Sequence, residues 1–242
     1  MGWKWARVAS RRKVLAHCSL MALAALCGAS VGAVDGPAAA SRAAGAKSGT
    51  ETPPHPGGKT LLVLGDSLSA EYGLARGSGW VALLTRQLAQ DKLVVKVVNA
   101  SISGDTTSGG RSRLPALLKL HKPSHVLIEL GGNDALRGLA TPMTRDNLVV
   151  MTRAAKSAGA QVMLVGMQLP PNYGAHYGQD FSAMFAKVAV DENTALVPFL
   201  LAGVADSPQA DRLFQPDRIH PTAEAHPRLL ANVWAVMKPW LR

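Results

Sequence analysis

From Thr60 onward, short compact apolar runs alternate with longer stretches whose apolar residues recur at helical spacing. Residues 61–64 form a compact apolar run that stops at Gly65. Residues 93–98 are rich in β-branched side chains and end at Asn99, and residues 125–130 end at Gly131-Gly132. Residues 161–165 and 195–197 read as a fourth and a fifth strand. Between the strands, residues 80–90 place Val81, Leu84 and Leu88 on one helical face. Residues 114–120, 145–158 and 180–190 read as further helices, with Gly159 stopping the second of these. A last helix is expected from Pro221-Thr222 to about Met237, because a proline in the first turn costs no hydrogen bond.

Strands alternating with helices predict an α/β fold, a parallel five-stranded sheet covered on both faces. Such sheets bind ligands beyond the carboxyl ends of their strands. Polar clusters fall just after the strands here. The first strand ends in Gly65-Asp66-Ser67-Leu68-Ser69, at a turn expected to lead into a helix. There the Ser67 hydroxyl can project from the sheet edge, and its N–H can bind a developing oxyanion. The second strand ends in Asn99-Ala100-Ser101-Ile102-Ser103-Gly104-Asp105-Thr106, where a glycine lets backbone approach a ligand closely. The third ends in Gly131-Gly132-Asn133-Asp134, whose Asn133 amide is a natural further donor. Near the C-terminus stands Pro216-Asp217-Arg218-Ile219-His220-Pro221. An Asp three residues before a His can reach the near ring nitrogen and orient the imidazole as a base. A neutral serine needs such a base to act as a nucleophile. Each cluster alone reads as a turn; their shared placement is what points to an enzyme.

The N-terminal residues differ in kind. MGWKWARVASRRKVLAHCSLMALAALCGASVGAVDG begins with a basic segment, continues apolar, and reaches the small-x-small triplet Val31-Gly32-Ala33. Residues 1–33 are expected to be a cleaved signal peptide of the general secretory or twin-arginine kind. Export to the periplasm or beyond follows. His17, Ser19 and Gly28 interrupt the apolar stretch and make it a poor membrane span. Residues 34–58 are Ala, Gly, Pro, Ser and Thr with almost no large apolar side chain, and are expected to be a disordered linker. Residues 59–242 remain for the domain.

Composition narrows the class further. The chain is 48% apolar and 17% charged, ordinary for a globular protein. Both cysteines, Cys18 and Cys27, lie near the start, so the domain has no disulfide and no cysteine-held metal. The formal charge is +10, of which five positive charges belong to residues 1–33. The remainder supports at most a weak contact with an anionic membrane surface. With no basic run and no interleaved aromatics in the domain, nucleic acid is not an expected partner.

The stretches LLVLGDSLSAEYGL, VVNASISGDTTSGGRSRLPALL, VLIELGGNDALRGL, MQLPPNYGAHYGQDF and FQPDRIHPTAEAHP together resemble an SGNH (GDSL-type) hydrolase. They are similar in particular to its bacterial periplasmic acyl-CoA thioesterase I, lysophospholipase and arylesterase group. The resemblance implies a flavodoxin-like three-layer α/β/α fold. It implies Ser67 as nucleophile, His220 as general base and acid, Asp217 as its orienting partner, and an oxyanion hole from Ser67 N–H, Gly104 N–H and the Asn133 side chain. No metal or cofactor is expected, and a monomer acting on a small acyl ester or thioester is. The loop after the fourth strand is expected to meet the substrate through Leu169, Pro170 and Tyr173, with Leu136 beside the acyl chain. Glu71 and Arg218 depart from the family pattern; Glu71 is expected to make the mouth more acidic, and Arg218 to face solvent. Asp66 and Asp134 read as turn-stabilising acceptors. His121, His125, His176 and His226 read as structural or surface residues. A metal site from His220, Glu224 and His226 fits the spacing, but the triad accounts for His220 better. Two other functions remain open: an O-acetyl esterase on cell-wall sugars, and a binding protein on an inactive hydrolase fold.

Overall fold

The computed structural model describes residues 58–241; the expected signal peptide and nearly all of the expected linker lie outside the described residues. β1 (Lys59–Gly65) is buried from Leu61 onward because it lies inside the sheet. β2 (Val95–Asn99) pairs on one side of it and β3 (His125–Glu129) on the other. β4 (Gln161–Val165) and β5 (Ala195–Val197) complete a parallel five-stranded sheet in the order β2-β1-β3-β4-β5. β3 is buried throughout, whereas β2, at the edge, is half-buried and tolerates Lys96. Strand order reverses between β2-β1 and β1-β3, so the sheet's crevice opens at the carboxyl ends of β1 and β3.

Helices cover the sheet in two groups. α1 (Trp80–Gln90) packs on α7 (His226–Trp240). α2 (Thr107–His121) packs on α4 (Thr141–Ser157), which also packs on α5 (Ala175–Asp191). The core includes Leu61 to Leu64, Val126 to Ile128 and Val162 to Val165, with Trp80, Phe181 and Phe185 as its largest buried side chains. Two short helices, α3 (Gly132–Leu136) and α6 (Ala210–Leu213), have no counterpart in the sequence pattern. Among the described residues, no helix is long and apolar enough to cross a membrane.

Several expected boundaries move. β2 begins at Val95 rather than residue 93, while α4 and α5 each begin about a turn early, at Thr141 and Ala175. The turn after β1 does not continue as a helix; α1 starts only at Trp80. The last helix begins at His226, not at Pro221. Pro221 instead forms an antiparallel bridge with Phe214, and Pro227 occupies the first turn of α7.

His226 joins α1 to α7. It is buried, and its Nδ1 accepts a hydrogen bond from the Trp80 N–H at 2.9 Å. Burial pushes its pKa down to about 4 from 6.5, against the pull of nearby Glu71. As pH falls, the unfolded chain takes up this proton before the folded one does. The contribution is whole above pH 6.5 and is lost toward pH 4. In His226→Asn the Oδ1 atom replaces Nδ1 as an acceptor that does not titrate. Across that window the melting temperature of the wild type is expected to fall more steeply than that of His226→Asn. Parallel curves would separate His226 from acid sensitivity.

Candidate active site

The end of β1 turns sharply at Asp66. Its carbonyl accepts from Ser69 N at 3.2 Å and Ala70 N at 3.0 Å, and its Oδ1 accepts from Leu68 N at 3.0 Å. This wraps the chain around Ser67, which is almost wholly buried apart from its access to the site. A second loop supplies the imidazole. Phe214 bridges Pro221, and Gln215 N donates to His220 O at 2.7 Å. Gln215 Nε2 donates to Tyr72 O at 2.9 Å and to Pro221 O at 3.0 Å, tying this loop to the segment after Ser67. Tyr72 also lies against the His220 ring, with centroids 4.3 Å apart.

These constraints bring three distant side chains into one chain of hydrogen bonds. His220 Nε2 lies 2.8 Å from Ser67 Oγ, and His220 Nδ1 lies 2.7 Å from Asp217 Oδ2. A carboxylate cannot donate, so Nδ1 carries the proton and Nε2 is left to accept from the serine hydroxyl. Asp217 Oδ1 is engaged separately by Ile219 N at 2.9 Å and His220 N at 3.0 Å. Partial burial opposes charge on Asp217. The two N–H groups and the His220 ring outweigh it and hold the carboxyl below its ordinary pKa. Asp217 is therefore held as the carboxylate that orients the ring.

A cavity of about 410 Å³ opens beside Ser67 and His220. Its walls are mostly apolar: Leu136, Met167, Leu169, Pro170, Phe199, Leu201 and Phe214. Asn133 lines it next to Ser67. Among the described residues, no three His, Cys, Asp or Glu side chains group to hold a metal ion.

A model of the GDSL-like Lipase/Acylhydrolase family matches residues 63–228. The chain belongs to this family. Esterase TesA of Pseudomonas aeruginosa is 54% identical over 183 residues, covering 76% of this chain and 90% of the relative. The Escherichia coli thioesterase 1/protease 1/lysophospholipase L1 is 46% identical over 168 residues, 69% of this chain and 78% of the relative. The crystal structure of TesA superposes with a TM-score of 0.73 at 53% identity, covering 76% of this chain and all of that one. The psychrotrophic esterase EstA from Pseudoalteromonas sp., inhibited by monoethylphosphonate, superposes at 0.71 with 38% identity, covering 76% of this chain and 98% of that one.

The other positions expected of a GDSL hydrolase are dispersed differently. Asn133 sits in α3 and donates from Nδ2 to Asp66 Oδ2 at 3.0 Å. Gly104 stands outside the apolar walls, in the turn after β2 at φ +77°, and its carbonyl accepts from Arg137 Nη2 at 2.9 Å. That turn is held beside the end of β1, because Ile102 N donates to Gly65 O at 3.0 Å. Arg113 reinforces it by pairing with Asp105 at 2.8 Å and bonding the Ala100 carbonyl. Leu136, Leu169 and Pro170 line the cavity; Tyr173 does not. The 3-10 turn Pro171–Tyr173, followed by Gly174 at φ +92°, carries the chain away into α5, and Pro171 lines the wall instead. Glu71 does not acidify the mouth: its carboxylate accepts from Gly77 N and Gly79 N and organises the loop before α1. Arg218 is exposed, in the left-handed region at φ +59°.

The motifs did not point to Glu129, Arg113 or Tyr72. Glu129 carried one usable signal, a lone acid ending a run of apolar strand residues. The apolar wall formed by Met167, Phe199, Leu201 and Phe214 comes from three separate segments and has no motif.

Proposed function

We propose that this protein hydrolyses small acyl esters and thioesters through an acyl-enzyme on Ser67. The observation that carries this reading is the continuous Ser67–His220–Asp217 hydrogen-bond chain at the mouth of an apolar cavity. Ser67 Oγ attacks the acyl carbonyl carbon as its proton passes to His220 Nε2. The carbonyl π electrons move onto oxygen, where Ser67 N–H, Gly104 N–H and Asn133 Nδ2 stabilise the charge. When the intermediate collapses, the bond to the leaving oxygen or sulfur breaks, and His220 returns the proton to that atom. A water then attacks the acyl group, gives its proton to His220, and releases the acid while Ser67 recovers its hydrogen. Asp217 stays ionised and orients the ring throughout.

The relatives named an esterase and a thioesterase/lysophospholipase support this substrate range. The apolar walls favour an acyl chain over a polar sugar, and so favour this reading over a cell-wall O-acetyl esterase. The basic-then-apolar N-terminal segment supports export.

A series of p-nitrophenyl esters of increasing acyl length tests the reading. Each added CH₂ that enters the cavity is expected to raise kcat/KM by up to about fourfold, from roughly 0.8 kcal/mol of burial, until the cavity is filled. Activity confined to acetate would support the sugar deacetylase instead.

A further inference from the structure

Next to the nucleophile turn lie two buried carboxyls that the proposed reaction does not use. Asp66 and Glu129 are each 2% exposed. Glu129 ends β3 in register with Gly65 of β1. A Cβ on Gly65 would stand 2.9 Å from Glu129 Oε2 and 2.8 Å from Ser69 Oγ, so glycine is needed to admit both. Glu129 Oε2 accepts from Ser69 Oγ at 2.8 Å and from Asp66 N at 3.3 Å. Asp66 lies close enough for its charge to oppose a charge on Glu129.

Two neighbouring carboxylates in a dry site disfavour each other's charge. The surrounding donors decide which keeps its charge. Asp66 receives Leu68 N on Oδ1 and Asn133 Nδ2 on Oδ2, each at 3.0 Å. An imidazolium at His220 favours its charge, while Asp105, itself paired with Arg113, opposes it. Burial pushes Asp66 up to about 6 and, together with the Asp66 charge, raises Glu129 well above its ordinary value, so of the two Glu129 is the one to which a shared proton is assigned.

We propose that Asp66 is a positioning residue: as a carboxylate with nothing to donate, it turns the Asn133 amide so that an Nδ2 hydrogen, and not Oδ1, faces the oxyanion. One Nδ2 hydrogen is held by Asp66 and the second is free for the substrate. Flipping the amide would set two acceptors, Asn133 Oδ1 and Asp66 Oδ2, against each other. This rests on the reading of Asn133 as an oxyanion donor.

The test is a double-mutant cycle with Asp66→Asn and Asn133→Ala, read as kcat and KM on a p-nitrophenyl ester. Asn at position 66 keeps the Leu68 N–H bond through Oδ1 but sets an NH₂ against the NH₂ of Asn133, which then turns over. Alone, Asp66→Asn is expected to lower kcat on the order of a hundredfold with KM little changed. In the Asn133→Ala background the same change is expected to cost no more than about twofold. Equal losses in both backgrounds would overturn the proposal. An Asn133→Ala protein with wild-type kcat would instead overturn the oxyanion reading beneath it. Infrared spectra of the native enzyme at neutral pH give an independent check that needs no active variant. A protonated-carboxyl band should be present and should vanish in Glu129→Gln; its absence from the wild type would overturn the proton assignment.

Discussion

A His220→Ala protein is expected to lose activity by about a millionfold in kcat, as comparable triads do when their base is removed. Two steps fail together. Ser67 has no acceptor for its proton, since Nε2 at 2.8 Å is the imidazole contact of its hydroxyl. The leaving alkoxide or thiolate also loses its proton donor. KM should change little, because the ring is only one edge of a cavity whose walls are mostly apolar residues such as Leu136, Leu169 and Phe199. The fold should survive, because the loop is held by backbone and Gln215 contacts that alanine retains. Single-turnover kinetics on a p-nitrophenyl ester, alongside a melting curve, checks this. A loss below about a hundredfold would assign the proton transfer to another group.

Asp217→Asn is expected to cost about ten-thousandfold in kcat while leaving the backbone in place. The asparagine Oδ1 still accepts from Ile219 N and His220 N, so the turn closes as before. Its NH₂ now faces His220 Nδ1, formerly 2.7 Å from a carboxylate oxygen. The ring must then accept at Nδ1 and carry its proton on Nε2, which points a donor at Ser67 and removes the base. The same pre-steady-state assay, with a melting curve as control, reads the effect. A drop of only about tenfold would reduce Asp217 to a turn residue, a live alternative because its side chain is 37% exposed.

Much of this site was legible because its chemistry is written in short segments that follow strands. Gly65-Asp66-Ser67 and Gly132-Asn133 each sit where β1 and β3 release the chain, and that position follows from apolar runs ending at glycine. The Asp217-to-His220 spacing is local too, so sequence could express it. What depended on distant packing was harder to read. Pro221 suited a helix start by its own chemistry, yet its pairing with Phe214 is a tertiary choice. Tyr173 looked placed for substrate contact until the 3-10 turn redirected the chain. The sequence around Glu71 suggests an acidic neighbour of the site, because its partners Gly77 and Gly79 are reached only once the intervening loop closes. Glu129 was passed over for a related reason: its partners Asp66 and Ser69 lie some 60 residues away in sequence.

The central claim is that the hydroxyl of Ser67 is activated by the imidazole of His220. Treatment with an alkyl fluorophosphonate, followed by peptide mapping in a mass spectrometer, tests it most directly. The account predicts one phosphonyl adduct on Ser67, stoichiometric with loss of esterase activity, and no adduct on that residue in His220→Ala over the same time. Labelling at another serine, or full inhibition with Ser67 unmodified, would contradict it.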